Sequence, residues 1–174
     1  MRELFFTKNE NSHSEAFQRM VDIFHQKALT SIQRDDAKLR TYSLLKLKPG
    51  FENYLSEIKS IKERTALTKF RLSNHLLMIE KGRHKDLDRT ERFCPFCPKS
   101  IEDEIHFLLN CKTYQHLRCE FLENTKKHVP HFLLQSDAQN FYSLMKNAPQ
   151  PTSQFIYRIS ELREFLLRKH RTPG

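Results

Sequence analysis

The stretch RFCPFCPKSIEDEIHFLLNC, residues 92–111, decides how this chain is read. Cys94, Cys97, His106 and Cys111 follow the spacing Cys-x2-Cys-x8-His-x4-Cys, so that four metal-ligand side chains fall within 18 residues. A tight turn between Cys94 and Cys97 points two sulfurs at one centre, the first half of many zinc modules. The second pair must then arrive from a separate element. Ser100 is placed to N-cap a helix over residues 101–109, with Asp103 three residues on and Glu102 and Glu104 in the first turn, where the helix dipole favours acids. His106 rides near the end of that helix. Five residues of ideal helix put Cys111 about 140° round from His106, so the helix has to end near Asn110 for Cys111 to reach the same ion.

Three thiolates and one imidazole make a closed tetrahedral shell with no position for water, which points to a structural zinc and not a catalytic one. Its formal charge is −1, and Arg92 and Lys99 lie beside the first pair to offset it. The competing reading is a set of buried cysteines and a core histidine. Cys119 lies off the apolar face of its own predicted helix and has no CxxC partner, so it reads as a free thiol. His84 is a weaker alternative ligand.

The same region resembles a known family. LTKFRLSNHLLMIEKGRH (67–84), RFCPFCP (92–98), EDEIHFLLNC (102–111), Tyr114 and Arg118 are similar to the zinc-binding region near the C-terminus of reverse transcriptases from non-LTR (LINE-type) retrotransposons. KLRTYSLLK (38–46) resembles the linker that precedes it, and the likeness runs from residue 38 to about 122. In that family the region helps to position template RNA and target DNA for an attached polymerase whose palm carries paired aspartates. Here the only adjacent aspartates, Asp35 and Asp36, sit in polar IQRDDAK without apolar strand flanks and read as a solvated turn. The resemblance therefore implies a detached C-terminal piece, without a reverse transcriptase catalytic centre.

Composition is consistent with that expectation. The 174 residues include only 3 glycines and no tryptophan, are 38% hydrophobic and 29% charged, and carry a formal net charge of +9. Such usage favours a mainly α fold, and the length one domain or one with a small appended module. The basic balance suits an anionic partner. No apolar run is long enough to cross a membrane, and MRELFF is too short and too acidic for a signal peptide. An intracellular chain, in nucleus or cytoplasm and not secreted, is expected, with cysteines held as metal ligands instead of disulfides.

Three segments are expected. Residues 1–60 form a linker-like helical region, 61–125 a zinc-binding module with a basic approach loop, and 126–174 C-terminal helices. Ser12-x-x-Glu15 is a capping box, after which Phe17, Met20, Val21, Phe24, Ala28 and Ile32 recur at helical spacing over 14–34. Residues 38–48 make a helix that ends before Pro49-Gly50, and Phe51, Tyr54, Leu55 and Ile58 a short one. A helix over 61–79, with Thr65 as a possible cap, breaks or bends at Ser73-Asn74. Further helices follow over 113–126, from Ser136, and over 153–169 after a PQPT turn. The last buries Phe155, Ile159, Leu162 and Leu166 and exposes Arg158, Arg163, Arg168, Lys169 and Arg171.

Between Arg64 and Arg92 basic residues crowd around Gly82, which lets the chain turn. Arg71, Lys81, Arg83, Lys85 and Arg92 are assigned to phosphates, mainly on the strength of the resemblance. Interleaved Glu80, Asp86, Asp88 and Glu91 leave a merely solvated loop as the alternative. Phe93 and Phe96 are candidates for stacking on unpaired bases, or for the core. The overall expectation is a zinc-stabilised domain that binds RNA or DNA without catalysis, with a polymerase domain as a possible protein partner. The alternatives are a zinc-stabilised protein-interaction module and a retroelement remnant without function.

Overall fold

The computed structural model describes residues 4–32, 39–46 and 50–170, and among these the chain is mostly helical, as the composition implied. It divides into two compact units, Met1–Phe51 and Glu52–Gly174. The segments expected at 61–125 and 126–174 lie together in the second unit.

The first unit holds α1 (Leu4–Ile32) and α2 (Arg40–Leu45). The helix expected to begin at the Ser12 capping box instead starts at Leu4 and runs through Ser12, so that box lies inside it. No glycine or proline interrupts residues 4–32, and a cap signal alone does not start a helix where the preceding residues also favour one. Phe17, Met20 and Phe24, the apolar stripe that suits either a core or a partner-helix face, are 67%, 67% and 71% exposed. After α2, the Lys46 ammonium donates to the Gly50 carbonyl at 2.7 Å. Gly50 has φ 144°, a conformation that only glycine adopts without strain.

The second unit is built around its last helix. α3 (Tyr54–Glu57), α4 (Ile61–Arg71), α5 (Met78–Arg83), a hairpin of β1 (Phe93–Cys94) and β2 (Cys97–Ile101), α6 (Gln115–Thr125), α7 (Asp137–Asn147) and α8 (Pro149–Lys169) follow in order. α8 packs against α3, α4, α6 and α7. Its helix begins in the PQPT stretch expected to be a turn, because proline at the first helical position has no N–H to lose and a φ already set for the helix. Phe155, Ile156 and Ile159 are buried, and Phe155 stacks on Phe121 of α6 with centroids 4.4 Å apart and planes 4° from parallel. Each such side chain contributes roughly 1.5–3 kcal/mol by leaving water.

Local signals account for the other ends. The α4 N-cap is Ser60, which accepts from the Glu63 N–H, and not Thr65. α4 stops at Arg71, and Ser73 takes a left-handed φ of 50°, so the Ser73-Asn74 break occurs where the sequence placed it. Ser136 caps α7 in a capping box with Gln139, as its sequence implied. Among the described residues no helix is long and apolar enough to cross a membrane.

Candidate metal centre

The hairpin brings the first two ligands together. β1 and β2 are antiparallel, with Cys94 opposite Cys97 across the Pro95-Phe96 turn and an irregularity between Phe93 and Cys94. Lys99 holds a φ of 73°, unusual for a residue with a side chain. Ser100 and Ile101 belong to β2, so Ser100 cannot cap the following helix. Asp103 does so instead, its carboxylate accepting the His106 N–H at 2.8 Å. Pairing with β1 extends the strand through Ile101 and displaces the helix start.

The second pair comes from a wide helical turn. Residues His106–Asn110 are π-helical, and the Cys111 N–H donates to the His106 carbonyl at 2.7 Å, five residues back. An α-helix would have left Cys111 off to one side. The wider turn closes at i+5 and removes that offset. Cys111 itself is extended, at φ −62° and ψ 120°, so the helix ends at Asn110 as the spacing required.

One donor atom from each of Cys94, Cys97, His106 and Cys111 lies within 4.8 Å of all the others, close enough to hold a metal ion. The sulfurs of Cys94 and Cys97 stand 4.0 Å and 3.7 Å from that of Cys111. The four cysteines of the chain are all free of disulfides. His106 Nε2 is buried without a hydrogen-bond partner, an orphan that a metal ion would satisfy. The donor set thus fits a metal. Hydrogen bonding between Cys94 and Cys111 holds the Cys111 thiol below its ordinary range, with His106 and Thr113 adding to the effect. The same bond raises the Cys94 thiol, and burial raises it further. Cys119 is exposed and outside the cluster, with the Gln115 amide 4.0 Å from its sulfur. His84 is exposed and also outside it.

Charge around the cluster is arranged differently from the sequence reading. Arg92 donates to the carbonyls of Leu87 and Ile79, and Lys99 is exposed. Arg118 is buried instead beside the cluster, its guanidinium donating to the Leu108 and Cys111 carbonyls at 2.9 Å each. Burial lowers its pKa, while Cys111, Cys119 and Cys97 pull it the other way. Arg163 of α8 grips Glu102 through two bonds of 2.8 and 2.7 Å. Burial alone would lower the Arg163 pKa, but the Glu102 bonds and charge outweigh it and the net shift is upward. Glu102 is fully buried and also accepts the Met78 N–H at 2.7 Å, tying α5, α8 and the approach to the ligand turn into one joint. Tyr114 packs edge-on against Phe107 and Phe96 beside this joint.

The five basic residues assigned to phosphates separate into two groups. Arg71 is buried, pairing with Glu52 at 2.7 Å, donating to the Met145 carbonyl and lying 4.8 Å over the Tyr54 ring. Arg71 and Arg92 therefore spend their guanidinium groups inside the protein. Lys81 is half-buried, Arg83 and Lys85 are exposed, and Arg83 pairs with Glu80. Gly82 makes no turn. It lies in α5, where an added Cβ would stand 2.6 Å from Arg92 Cγ. The turn falls at Asp86, with φ 53°. Phe93 is exposed and Phe96 half-buried. Arg163 and Arg118 are buried charges beside the cluster whose placement helical periodicity did not give. Arg163 was placed on the solvent face of its helix, where a charge normally sits.

Comparison with protein-family models, with curated proteins and with solved structures finds no match for this chain.

Proposed function

We propose that the chain is a zinc-stabilised nucleic-acid-binding domain, resembling the C-terminal zinc region of non-LTR retrotransposon reverse transcriptases and acting by positioning RNA or DNA without catalysis. The observation that carries the zinc assignment is the spacing of the sulfurs. Zinc–sulfur bonds of about 2.3 Å at tetrahedral angles separate neighbouring sulfurs by about 3.8 Å, and the two measured separations are 3.7 and 4.0 Å. Cys94, Cys97, His106 and Cys111 would fill the coordination shell, leaving no place for water or substrate. The zinc would supply folding energy and no chemistry.

The nucleic-acid reading rests on what leads into that centre. Lys81, Arg83 and Lys85, with exposed Arg89 beyond them, precede the hairpin directly. Exposed Phe93 stands at its entrance, an aromatic face suited to an unpaired base. Each phosphate neutralised on a single strand contributes about −0.7 to the slope of log K against log salt, so three contacts give about −2. Fluorescence anisotropy with a labelled single-stranded RNA tests this. The combined variant Lys81→Ala, Arg83→Ala, Lys85→Ala should lose most of that slope while keeping its metal. Equal binding with an equal slope would reduce the segment to a solvated face.

A second reading has its own observation. Phe17, Met20 and Phe24 recur on one side of α1 and are two-thirds exposed or more. Such a stripe suits a partner helix, and with it the zinc-stabilised protein-interaction module.

A further inference from the structure

Arg118 is a buried cation whose charge no carboxylate answers. It belongs to α6 and is 3% exposed. Its Nε donates to the Leu108 carbonyl and its Nη2 to the Cys111 carbonyl, at 2.9 Å each, while Nη1 donates to the Gln115 amide oxygen at 3.1 Å. All of these acceptors are neutral, and among the described residues no carboxylate pairs with Arg118. The other buried arginines differ in this respect, since Arg71 has Glu52 and Arg163 has Glu102. A buried charge that is hydrogen-bonded but unpaired remains costly, so an anion is expected close by.

The cysteine cluster is placed to be that anion. Loaded with zinc, three thiolates and one imidazole carry one net negative charge. Cys111 and Cys97 lie close enough for their thiolates to favour the charged guanidinium, against the effect of burial. The other nearby cations are engaged elsewhere, Arg92 by the Leu87 and Ile79 carbonyls, Arg163 by Glu102 and Lys99 by solvent. The bonds of Arg118 also bear on geometry. Leu108 lies in the ligand turn and Cys111 ends it, where helical carbonyls have no partner within the helix. A guanidinium on both carbonyls fixes the direction in which Cys111 leaves the turn.

We propose that Arg118 is the positioning residue of the metal centre, supplying the counter-charge to the zinc-bound thiolates and holding the Cys111 end of the ligand turn. The inference rests on the zinc reading above.

The test uses the full chain loaded with zinc, or with cobalt(II) as a spectroscopic stand-in. Competition with a chromophoric chelator gives the zinc affinity, and the thiolate-to-cobalt charge-transfer band reports the field at the sulfurs. Arg118→Met keeps the stem and removes the charge. It should weaken zinc by about 10–100-fold, the usual cost of losing a group that supports metal ligands. The band should move to longer wavelength, because sulfurs without a nearby cation give up electrons more readily. Arg118→Lys keeps the charge but lacks the fork that spans two carbonyls, so it should recover most of the band position and part of the affinity. Gln115→Glu, at an exposed position, tests the charge even where Arg118→Met fails to fold. It leaves an oxygen for Arg118 and sets a carboxylate against the guanidinium, so zinc should weaken by about two- to fivefold at low salt and less at high salt. An Arg118→Met affinity within about twofold of the parent overturns the proposal. So does Arg118→Lys no better than Arg118→Met in both affinity and band, or an unchanged affinity in Gln115→Glu at low salt. A parent chain that takes up neither metal sinks the zinc reading and this inference with it. A parent with a thiolate-to-cobalt band that none of the variants moves sinks the inference alone.

Discussion

Arg163→Met is the most informative single change in this fold. The Arg163 side chain is 6% exposed and Glu102 is 0% exposed, joined by a bidentate pair at 2.8 and 2.7 Å. Methionine matches the length of the stem and removes the charge. It strands a carboxylate that water cannot reach, for which the cost is about 3–5 kcal/mol. Glu102 retains the Met78 N–H, so the lower end of that range, about 3 kcal/mol, is expected. Against a domain stability of about 5–15 kcal/mol this is a large loss. Urea denaturation at saturating zinc measures it, with an unchanged m-value showing that both variants unfold the same surface. Adding Glu102→Gln neutralises the stranded charge and leaves an amide oxygen for Met78. The double variant should then recover about 2 kcal/mol. A single variant that costs less than about 1 kcal/mol would place the pair among exposed ones and refute the role given to it.

Three further outcomes follow from neighbouring contacts. Gly82→Ala should destabilise by about 1–3 kcal/mol in thermal melts, because its Cβ meets Arg92 Cγ at 2.6 Å and must dislodge a guanidinium that holds two carbonyls. The propensity gain of about 1 kcal/mol for leaving glycine does not offset this, and a stabilised variant would contradict the packing. Asp103→Ala removes the cap on the His106 N–H and should cost about 1 kcal/mol while weakening metal retention against a chelator. Unchanged retention would show that the ligand turn does not depend on its cap. Cys119 should react with a thiol reagent in metal-loaded protein while the other three cysteines react only after chelation, and protection of Cys119 would count against its exposure here.

How much of this was legible in the sequence divides along a physical line. The four-residue cluster was, because ligand spacing is a local property and the donors need only one turn and one helix end to meet. The helix end at Asn110 followed from geometry alone. Its means, a widened turn closing at i+5, did not, since spacing says that an offset must be removed and not how. Ser136 and the Ser73-Asn74 break were readable because capping and left-handed conformations are set by immediate neighbours. Ser100 failed as a cap because pairing with β1 claimed it for a strand, a tertiary choice that outweighs a local preference. The arginines were the least legible. Arg71, Arg92, Arg118 and Arg163 look alike in sequence, yet each is held by carbonyls or a carboxylate beyond the reach of helical periodicity, at Met145, Ile79, Cys111 and Glu102. A charge count cannot distinguish such residues from solvated ones. α1 shows the same limit in reverse, since an apolar stripe does not tell a core from a partner-helix face, and Phe17 and Phe24 are exposed.

The central claim, a Cys3His zinc centre that holds the second unit together, is tested most directly by elemental analysis of the natively purified chain alongside His106→Ala. One zinc per chain is expected in the parent, as for a closed four-ligand site. His106→Ala should retain well under one equivalent after dialysis against a mild chelator and lose its cooperative melt, because structural zinc contributes about 10–16 kcal/mol of apparent folding energy. A parent protein that melts cooperatively with no stoichiometric metal would contradict the account, and the cluster would then be a set of buried thiols around a core histidine.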